Sequence, residues 1–246
     1  MIMTLRALSL LLTYPTEEMQ RAVGEMQDVV GKEGILTGQP RRALNPLFEE
    51  IARGELYDLQ ERYVLLFDRT RSLSLHLFEH VHGESRDRGQ AMVDLAALYG
   101  RHGVEMRPGE LPDYLPLFLE FLTLVPAAEA CDLIAETAHV LEAIRMRLKK
   151  RKSAYSSAFS AAMALAHARP SPSIAAAIEN EPADDPNDLA QLDQAWMDEE
   201  VRFGPSAQSQ CGGDRIAPML RAAGRPAPGM PEPAPRGPRT IVTHNQ

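Results

Sequence analysis

Apolar residues recur at helical spacing along most of the chain, up to about residue 168. Leu5, Leu8 and Leu12 share one helical face, and Pro15 ends this first helix because proline disfavours the α conformation in the residue before it. Thr16 is placed to cap the second helix. Apolar stripes at intervals of three and four residues predict further helices within segments 19–30, 44–51, 56–67, 92–99, 113–125, 126–151 and 155–166. Because no segment alternates as a strand does, the sequence predicts an all-α fold.

Two connections between these helices are also predicted. The stretch from Gly31 to Pro40 reads as a loop, and Asp113 reads as the N-cap of a helix that carries Pro116 in its first turn. The continuation of that helix, residues 117–125, is apolar on nearly every side. A helix with this pattern is either buried or lines a groove.

The composition changes after the last predicted helix. Residues 179–200 contain nine acidic residues and no basic one, and the chain from Gly204 onward contains eight of the 19 prolines. We therefore predict a single compact helical domain over residues 1–203, in which 179–200 is acidic and weakly ordered, and a disordered tail rich in Pro, Gly and Ala over 204–246. The tail has a net charge of +3, which leaves −11 on residues 1–203 out of a total of −8.

Composition and charge exclude several classes of protein. Over the 246 residues, 44% are hydrophobic and 24% charged, as in ordinary globular proteins, and the 6% of aromatic residues favours helices over a sheet. The acidic balance argues against a nucleic-acid partner, which needs a basic surface. The apolar stretch 7–12 is short for a secretory signal, and nothing approaches the roughly 18 apolar residues of a membrane span. Cys131 and Cys211 lie far apart, so we expect reduced thiols in a cytoplasmic protein.

Three histidines and two glutamates are concentrated in one short stretch: His76, Glu79, His80, His82 and Glu84. His76 and His80, four residues apart, would share a helical face and chelate a metal, with His82 or Glu79 completing the site. The order is not His-Glu-x-x-His, however, and no second His or Cys pair is present. Hydrogen-bonded packing histidines are therefore the favoured interpretation. A metal-binding protein or metal-dependent enzyme using His76, His80 and His82 is the alternative.

Motifs typical of enzymes are missing from the sequence. Ser85 lies in Gly-Glu-Ser-Arg-Asp, which lacks the second glycine of a nucleophile elbow and follows no predicted strand. Ser85 is better explained as a helix N-cap, with Asp87 in the first turn and Arg88 paired or solvated. No Gly-x-Gly-x-x-Gly and no phosphate-binding loop is present. The sequence therefore predicts a protein that is not an enzyme and holds no cofactor.

The apolar run from Leu111 to Val125 offers a binding surface instead. Part of the run must be core. The rest would form a groove rimmed by carboxylates that accepts a basic, amphipathic peptide helix, with apolar walls supplying affinity and the rim orienting the peptide. The candidate residues are Asp113, Tyr114, Leu117, Phe118, Glu120 and Phe121.

Four segments carry a resemblance to a known family. Residues 74–92, which begin Ser-Leu-His-Leu-Phe-Glu-His-Val-His-Gly-Glu-Ser, resemble the signature of the NarJ family, the delta-subunit assembly chaperones of respiratory nitrate reductase. Residues 10–15, residues 110–120, and Trp196 with residues 199–203 agree with the same family. The resemblance covers nearly the whole chain to about Phe203 and leaves out the Pro-rich tail.

The resemblance implies an all-helical, cytoplasmic, non-enzymatic chaperone of the redox-enzyme maturation type. Its partner would be the apo catalytic (alpha) subunit of nitrate reductase, chiefly the basic N-terminal peptide, and then the alpha–beta complex. The chaperone would hold the apoenzyme for molybdenum-cofactor insertion, iron–sulfur loading and membrane assembly, and would not be part of the final enzyme. No nucleic acid and no direct insertion into a membrane is implied.

The resemblance and the apolar run together suggest how the peptide docks. Its apolar face is expected to contact the aromatic and aliphatic candidates, while Asp113 and Glu120, joined by Glu79 and Glu84, attract its positive end. The candidate histidines would make the affinity sensitive to pH. A helical adaptor that recognises another basic partner is a third hypothesis.

Overall fold

Ten α-helices account for the fold of the described chain in a computed structural model, which describes residues 2–82, 86–107, 109–168, 173 and 239–240. They are α1 Met3–Leu11, α2 Glu17–Glu33, α3 Gly38–Ala43, α4 Asn45–Arg53, α5 Leu56–Tyr63, α6 Glu79–His82, α7 Arg86–Arg101, α8 Leu115–Leu122, α9 Ala127–Lys150 and α10 Ser156–Leu165. A π-turn, Val64–Asp68, continues α5, and a 3₁₀ turn, Arg71–Leu73, follows it. The predicted all-α class is confirmed. Among the described helices, none has the length and hydropathy that a bilayer crossing requires.

Two short strands accompany the helices. β1, Val104–Glu105, pairs in parallel with β2, Arg239–Thr240, so that Val104 lies beside Arg239 and Glu105 beside Thr240. β2 falls inside the segment predicted as the tail. The remainder of that prediction, together with the acidic segment 179–200, lies outside the described residues.

Helix α1 lies at the centre of the packing. It contacts α2, α8 and α10, and α9 packs along α10. Ser9 Oγ donates to the Pro116 carbonyl at 2.7 Å, and Arg6 approaches Glu120 at 3.9 Å, so α1 and α8 run antiparallel. The predicted stripe residues Leu5, Leu8 and Leu12 are all buried.

Several helix ends fall where the sequence places them. Thr16 is the N-cap of α2, and its Oγ1 accepts the Met19 N–H at 3.1 Å. Pro126 immediately precedes α9, and α7 ends at Arg101, two residues after the predicted segment 92–99. The predicted loop from Gly31 to Pro40 is too long, because α2 continues to Glu33, stops at left-handed Gly34, and α3 begins at Gly38.

The last residue of α2 caps the first turn of α1. Glu33 accepts the backbone N–H groups of Met3 at 2.7 Å and Thr4 at 2.6 Å, and also the Thr4 hydroxyl. These N–H groups have no partner inside their own helix, and a carboxylate at a helix N-terminus also complements the dipole. The cap joins the start of α1 to the end of α2, which are the two helix ends furthest from the α1–α2 connection.

Gly54 allows α4 and α5 to meet at a close corner. A Cβ at this position would lie 2.7 Å from the Glu50 carbonyl oxygen and 2.9 Å from Leu59 Cδ2. The Gly54 carbonyl also accepts Gln20 Nε2 at 2.8 Å, which ties the corner to α2. The absence of a side chain is therefore required by packing.

We expect Gly54→Ala to lower the free energy of unfolding by about 1 to 3 kcal/mol, because the added methyl overpacks the corner. Gly24→Ala is the matched control: a Cβ there meets nothing within 4 Å, on the exposed side of α2. This control should gain roughly 0.5 to 1 kcal/mol from helix propensity. Urea denaturation of both variants measures the difference. Equal changes would show that the corner relaxes around the methyl group.

Candidate functional site

An extended segment, residues 74–76, crosses the start of α8 and leads through a turn at residues 77–78 into α6. The Leu115 N–H donates to the Leu75 carbonyl at 2.8 Å, and the Leu77 N–H donates to the Asp113 carbonyl at 3.0 Å. His76 and Tyr114 thereby form an antiparallel bridge. The histidine-rich stretch is therefore strand-like in its first half and helical only from Glu79 onward.

The Asp113 carboxylate holds this crossing in place from inside the protein. Asp113 is fully buried, and its Oδ2 accepts the Phe78 N–H at 3.2 Å. Its Oδ1 lies 3.2 Å from His76 Nδ1, which must carry the hydrogen because a carboxylate only accepts. The prediction that Asp113 caps α8 is wrong: Tyr114 occupies the N-cap position, and the carboxylate satisfies the neighbouring segment instead.

Asp113 belongs to a polar group of five residues, which we call the Asp113 cluster: His76, Glu79, Arg88, Asp113 and Tyr114. Arg88 lies 3.2 Å from Glu79 and 4.0 Å from Asp113, so one cation partly neutralises two carboxylates. The side chains of His76 and Glu79 are 29% and 25% exposed, whereas that of Asp113 is wholly buried. The cluster therefore has a buried anchor and an accessible acidic edge.

A hydrogen bond between two tyrosine hydroxyls links the cluster to the protein core. The Tyr114 hydroxyl lies 3.2 Å from that of Tyr63, which also lies 3.0 Å from the Leu12 carbonyl. Tyr63 has a single hydroxyl hydrogen and donates it to the carbonyl, so Tyr114 donates to Tyr63. Burial raises the pKa of both hydroxyls above the ordinary value, which keeps them protonated. The centroid of the Tyr114 ring also lies 5.4 Å from that of the His76 ring, so the two rings pack against each other.

His80 fastens the turn between the extended segment and α6. Its Nε2 carries a hydrogen and donates to the Ser74 carbonyl at 2.8 Å. Burial lowers the pKa of His80, and the positive charge of Arg147 and the nearby His139 act in the same direction. The Ser74 hydrogen bond and Glu79 oppose them. The folded protein therefore favours the neutral ring.

The geometry on which the metal-binding alternative depends is not formed. His76 lies in the extended segment and His80 in the first turn of α6, so the two rings do not share a helical face. One nitrogen of each ring already bonds to the protein. Within the described residues, no three His, Cys, Asp or Glu side chains are grouped to hold a metal ion. The His82 side chain and all of Glu84 lie outside the described residues.

The predicted apolar groove along α8 needs correction. Leu117, Phe118 and Phe121 are at most 3% exposed, because α8 packs against α1 on one side and Phe121 stacks 4.4 Å from Tyr99 on another. Helix α8 is thus buried on nearly every side, which is the other outcome that its apolar pattern allows. Glu120 lies apart from the Asp113 cluster, beside Arg6. The structure brings His76, Glu79, Asp113 and Tyr114 together, with His80 at the adjoining turn.

Leu111 is an accessible apolar residue that the candidate set lacks. It is 42% exposed and opens the turn that leads into Tyr114, whose N–H donates to the Leu111 carbonyl at 3.2 Å. The next carbonyl, that of Pro112, accepts the Tyr99 hydroxyl at 2.7 Å, which fixes the turn against α7. The sequence could have indicated the exposure of Leu111, because this residue lies in the Leu-Pro-Asp turn before the apolar helix and not within the apolar stripe of that helix.

The basic end of α9 also reaches this region. Arg147 donates to the Ser72 carbonyl at 3.2 Å, and Arg151 donates to Thr70 Oγ1 at 3.1 Å. Cations at the C-terminal end of a helix complement its dipole, which is one role of the basic run from Arg145 to Lys152. Its arginines also fasten the chain that enters the extended segment.

Comparisons with known proteins identify relatives over most of the chain. A family model described as nitrate reductase delta subunit matches residues 16–161. The nitrate reductase molybdenum cofactor assembly chaperone NarJ of Escherichia coli K12 is 40% identical over 222 residues, which cover 89% of this chain and 92% of that protein. The probable assembly chaperone NarW of the same organism is 36% identical over 84% of this chain and 86% of its own length. The probable chaperone NarJ of Bacillus subtilis is 32% identical over 62% of this chain and 82% of its own length.

We expect Asp113→Asn to lower the free energy of unfolding by about 2 to 4 kcal/mol, because it removes the buried charge that Arg88 and His76 face. Asp28→Asn is the control, since Asp28 forms an exposed i,i+4 pair with Lys32. That pair should contribute less than about 0.5 kcal/mol. Urea midpoints near neutral pH give both values. A loss no larger than the control's would mean that the extended segment is held without the carboxylate.

The lowered pKa of His80 makes stability depend on pH. The unfolded chain binds the proton near the ordinary value of 6.5 and the folded chain does so only at lower pH. This part of the stability is therefore complete above about pH 6.5 and declines as the pH falls below it.

We expect the loss of unfolding free energy between about pH 7.5 and pH 5.5 to be smaller in His80→Gln, whose amide still donates to Ser74. His139 has a lowered pKa from burial, and the raised pKa of Glu136 and Asp68 acts in the opposite sense, so each variant is compared with the parent chain. The exposed His167, changed to Gln, is the control. An unaltered pH dependence in His80→Gln would contradict the assignment.

Proposed function

We propose, because the chain belongs to the nitrate reductase delta subunit family, that it is a dedicated assembly chaperone of nitrate reductase. It binds the N-terminal segment of the catalytic alpha subunit and holds the apoenzyme while the molybdenum cofactor is inserted. The observation that carries this proposal is the 40% identity to an assembly chaperone over 89% of the chain. NarJ and NarW of Escherichia coli are named as assembly chaperones, which agrees with the prediction that this chain is not an enzyme.

The peptide docks, in this proposal, on the accessible edge of the Asp113 cluster. The turn at Leu111 and the Tyr114 ring supply apolar area, and Glu79 supplies negative charge beside them. An amphipathic segment with basic residues complements both features, with apolar contacts giving most of the affinity and charge speeding the encounter. The buried residues of α8 support this surface from beneath rather than contacting the peptide.

The arrangement of the cluster suits a reversible interaction. Glu79 is already paired with Arg88, so an arginine or lysine of the client competes with Arg88 for this carboxylate. Glu79 therefore has a cationic partner both before and after the client binds. Exchange of one partner for another costs little, because partly exposed pairs contribute weakly. A chaperone that must leave its client after assembly needs this kind of contact.

The later steps of the proposed role follow the family. The chaperone stays with the alpha–beta complex in the cytoplasm through iron–sulfur loading and docking on the membrane subunit, and then leaves. In this proposal the molybdenum cofactor is inserted into the alpha subunit, and the chaperone itself holds no cofactor.

The test is a calorimetric titration with a synthetic peptide of about the first fifteen residues of the cognate alpha subunit. We expect a Kd near or below ~1 µM, about −8 kcal/mol. Leu111→Ser should raise the Kd at least about fivefold, because an exposed anchor residue is lost without a cost to the core. Glu79→Gln should weaken binding chiefly at low ionic strength and reduce its salt dependence.

Matched controls allow the proposed docking surface and the proposed function to be tested separately. Ile35, which is 48% exposed in the connection after α2, is changed to Ser and should leave the Kd within about twofold. A charge-reversed peptide should bind weakly. Binding that is tight but insensitive to both Leu111→Ser and Glu79→Gln would refute this docking surface alone. No heat with the cognate peptide would refute recognition of the N-terminal segment.

A further inference from the structure

The C-terminal end of the chain differs from the rest of the predicted tail. All eight prolines after Gly204 lie at or before Pro238, and the final residues read Arg-Thr-Ile-Val-Thr-His-Asn-Gln. Residues 240–243 are four consecutive β-branched residues, which favour an extended conformation. Residues 239–246 contain no proline, the residue type that cannot donate a backbone hydrogen bond to a neighbouring strand. We call residues 239–246 the C-terminal segment.

β1 provides an edge for such a segment within the helical domain. Gly103, with a φ of 71°, turns the chain out of α7, and Val104 is buried while Glu105 faces solvent. The first two residues of the C-terminal segment pair with β1 in parallel, in the register Val104 to Arg239 and Glu105 to Thr240. A backbone edge on a helical domain is thus occupied by the chain itself.

We propose that β1 is a docking edge for the C-terminal segment, which adds to it as a strand and is released and rebound without unfolding of the helices. Strand addition uses backbone hydrogen bonds for affinity, and the order of the side chains that alternate along the added strand gives specificity. The charges agree: the C-terminal segment contains Arg239 and no acidic residue, while residues 1–203 carry −11. This inference does not depend on the proposed chaperone function.

The docking must be weak enough to reverse. Within the described residues, two residues of each strand are paired. About 70 residues separate Ala168 from Arg239, and because the sequence predicts a disordered tail over most of the last part of this connection, closing such a loop opposes the contact. The tether nevertheless keeps the C-terminal segment at a high local concentration near β1. The result is an exchange between paired and unpaired states rather than a permanent strand.

Docking acts on the connection that leads to the Asp113 cluster. Residues 106–112 run from β1 to Asp113, and the far end of this connection is held by its bridge to residues 75–77. The C-terminal segment holds the near end. When it is docked, both ends of the connection that carries Leu111 are fixed by backbone pairing.

The test is hydrogen exchange, followed by mass spectrometry, on the full chain and on a chain ending at Pro238. We expect amides of residues 104–106 to exchange at least about threefold faster in the truncated chain, because they lose the pairing that protects them. Adding a synthetic peptide of residues 235–246 in trans should restore the protection, and a scrambled peptide of the same composition should not. Far-UV circular dichroism should be the same for both chains.

A second variant keeps the test clear of truncation effects. Thr240→Pro, which removes a backbone donor from the paired residues, should accelerate exchange at residues 104–106 as truncation does. Ala234→Pro, which lies outside the C-terminal segment and outside the synthetic peptide, is the matched control. Equal exchange in the full and truncated chains would overturn the proposal. Restoration by the scrambled peptide would show a charge effect in place of strand addition and would equally overturn it.

Discussion

A single buried carboxylate determines the shape of the region on which the candidate site is built. Asp113 has no access to water, so its charge must be met by groups of the protein. Those groups are the Phe78 N–H, His76 Nδ1 and, further away, Arg88. Because Asp113 precedes α8 and its partners lie at residues 76–88, the requirement draws two distant parts of the chain together. The carboxylate thereby reinforces the backbone pairing that holds residues 75–77 against the start of α8.

The helices were predictable because their signal is local. An apolar stripe every three or four residues identifies α1, α2, α4, α7, α9 and α10, and Thr16 caps the second of these as its residue type suggests. The role of Asp113 was not predictable in the same way. An aspartate just before a Pro-containing helix start is locally an ideal cap, and only the Phe78 N–H, 35 positions earlier, shows that it is used elsewhere.

The candidate site shows the same division. The histidine spacing suggested a common helical face, yet the pairing of Leu75 and Leu77 with Leu115 and Asp113 makes the first half extended. The apolar run of α8 was compatible with a place in the core or along a groove, and its contact with α1 shows that it belongs to the core. What remains accessible is a polar edge with one leucine beside it. The sequence signature indicated the family and the comparisons show it, and family membership supports the proposed role more directly than the surface does.

The central place of α1 has a consequence for how the protein is made. This helix is synthesised before the other described helices, yet the carbonyl that accepts the Ser9 hydroxyl belongs to Pro116, 107 residues later. At a translation rate of about 5 to 20 residues per second, α1 waits roughly 5 to 20 s for that partner. During this time α2 and the Glu33 cap cover part of its apolar stripe, while the contacts with α8 and α10 are still missing. The nascent chain is therefore itself exposed to aggregation until α8 and α10 close over its first helix.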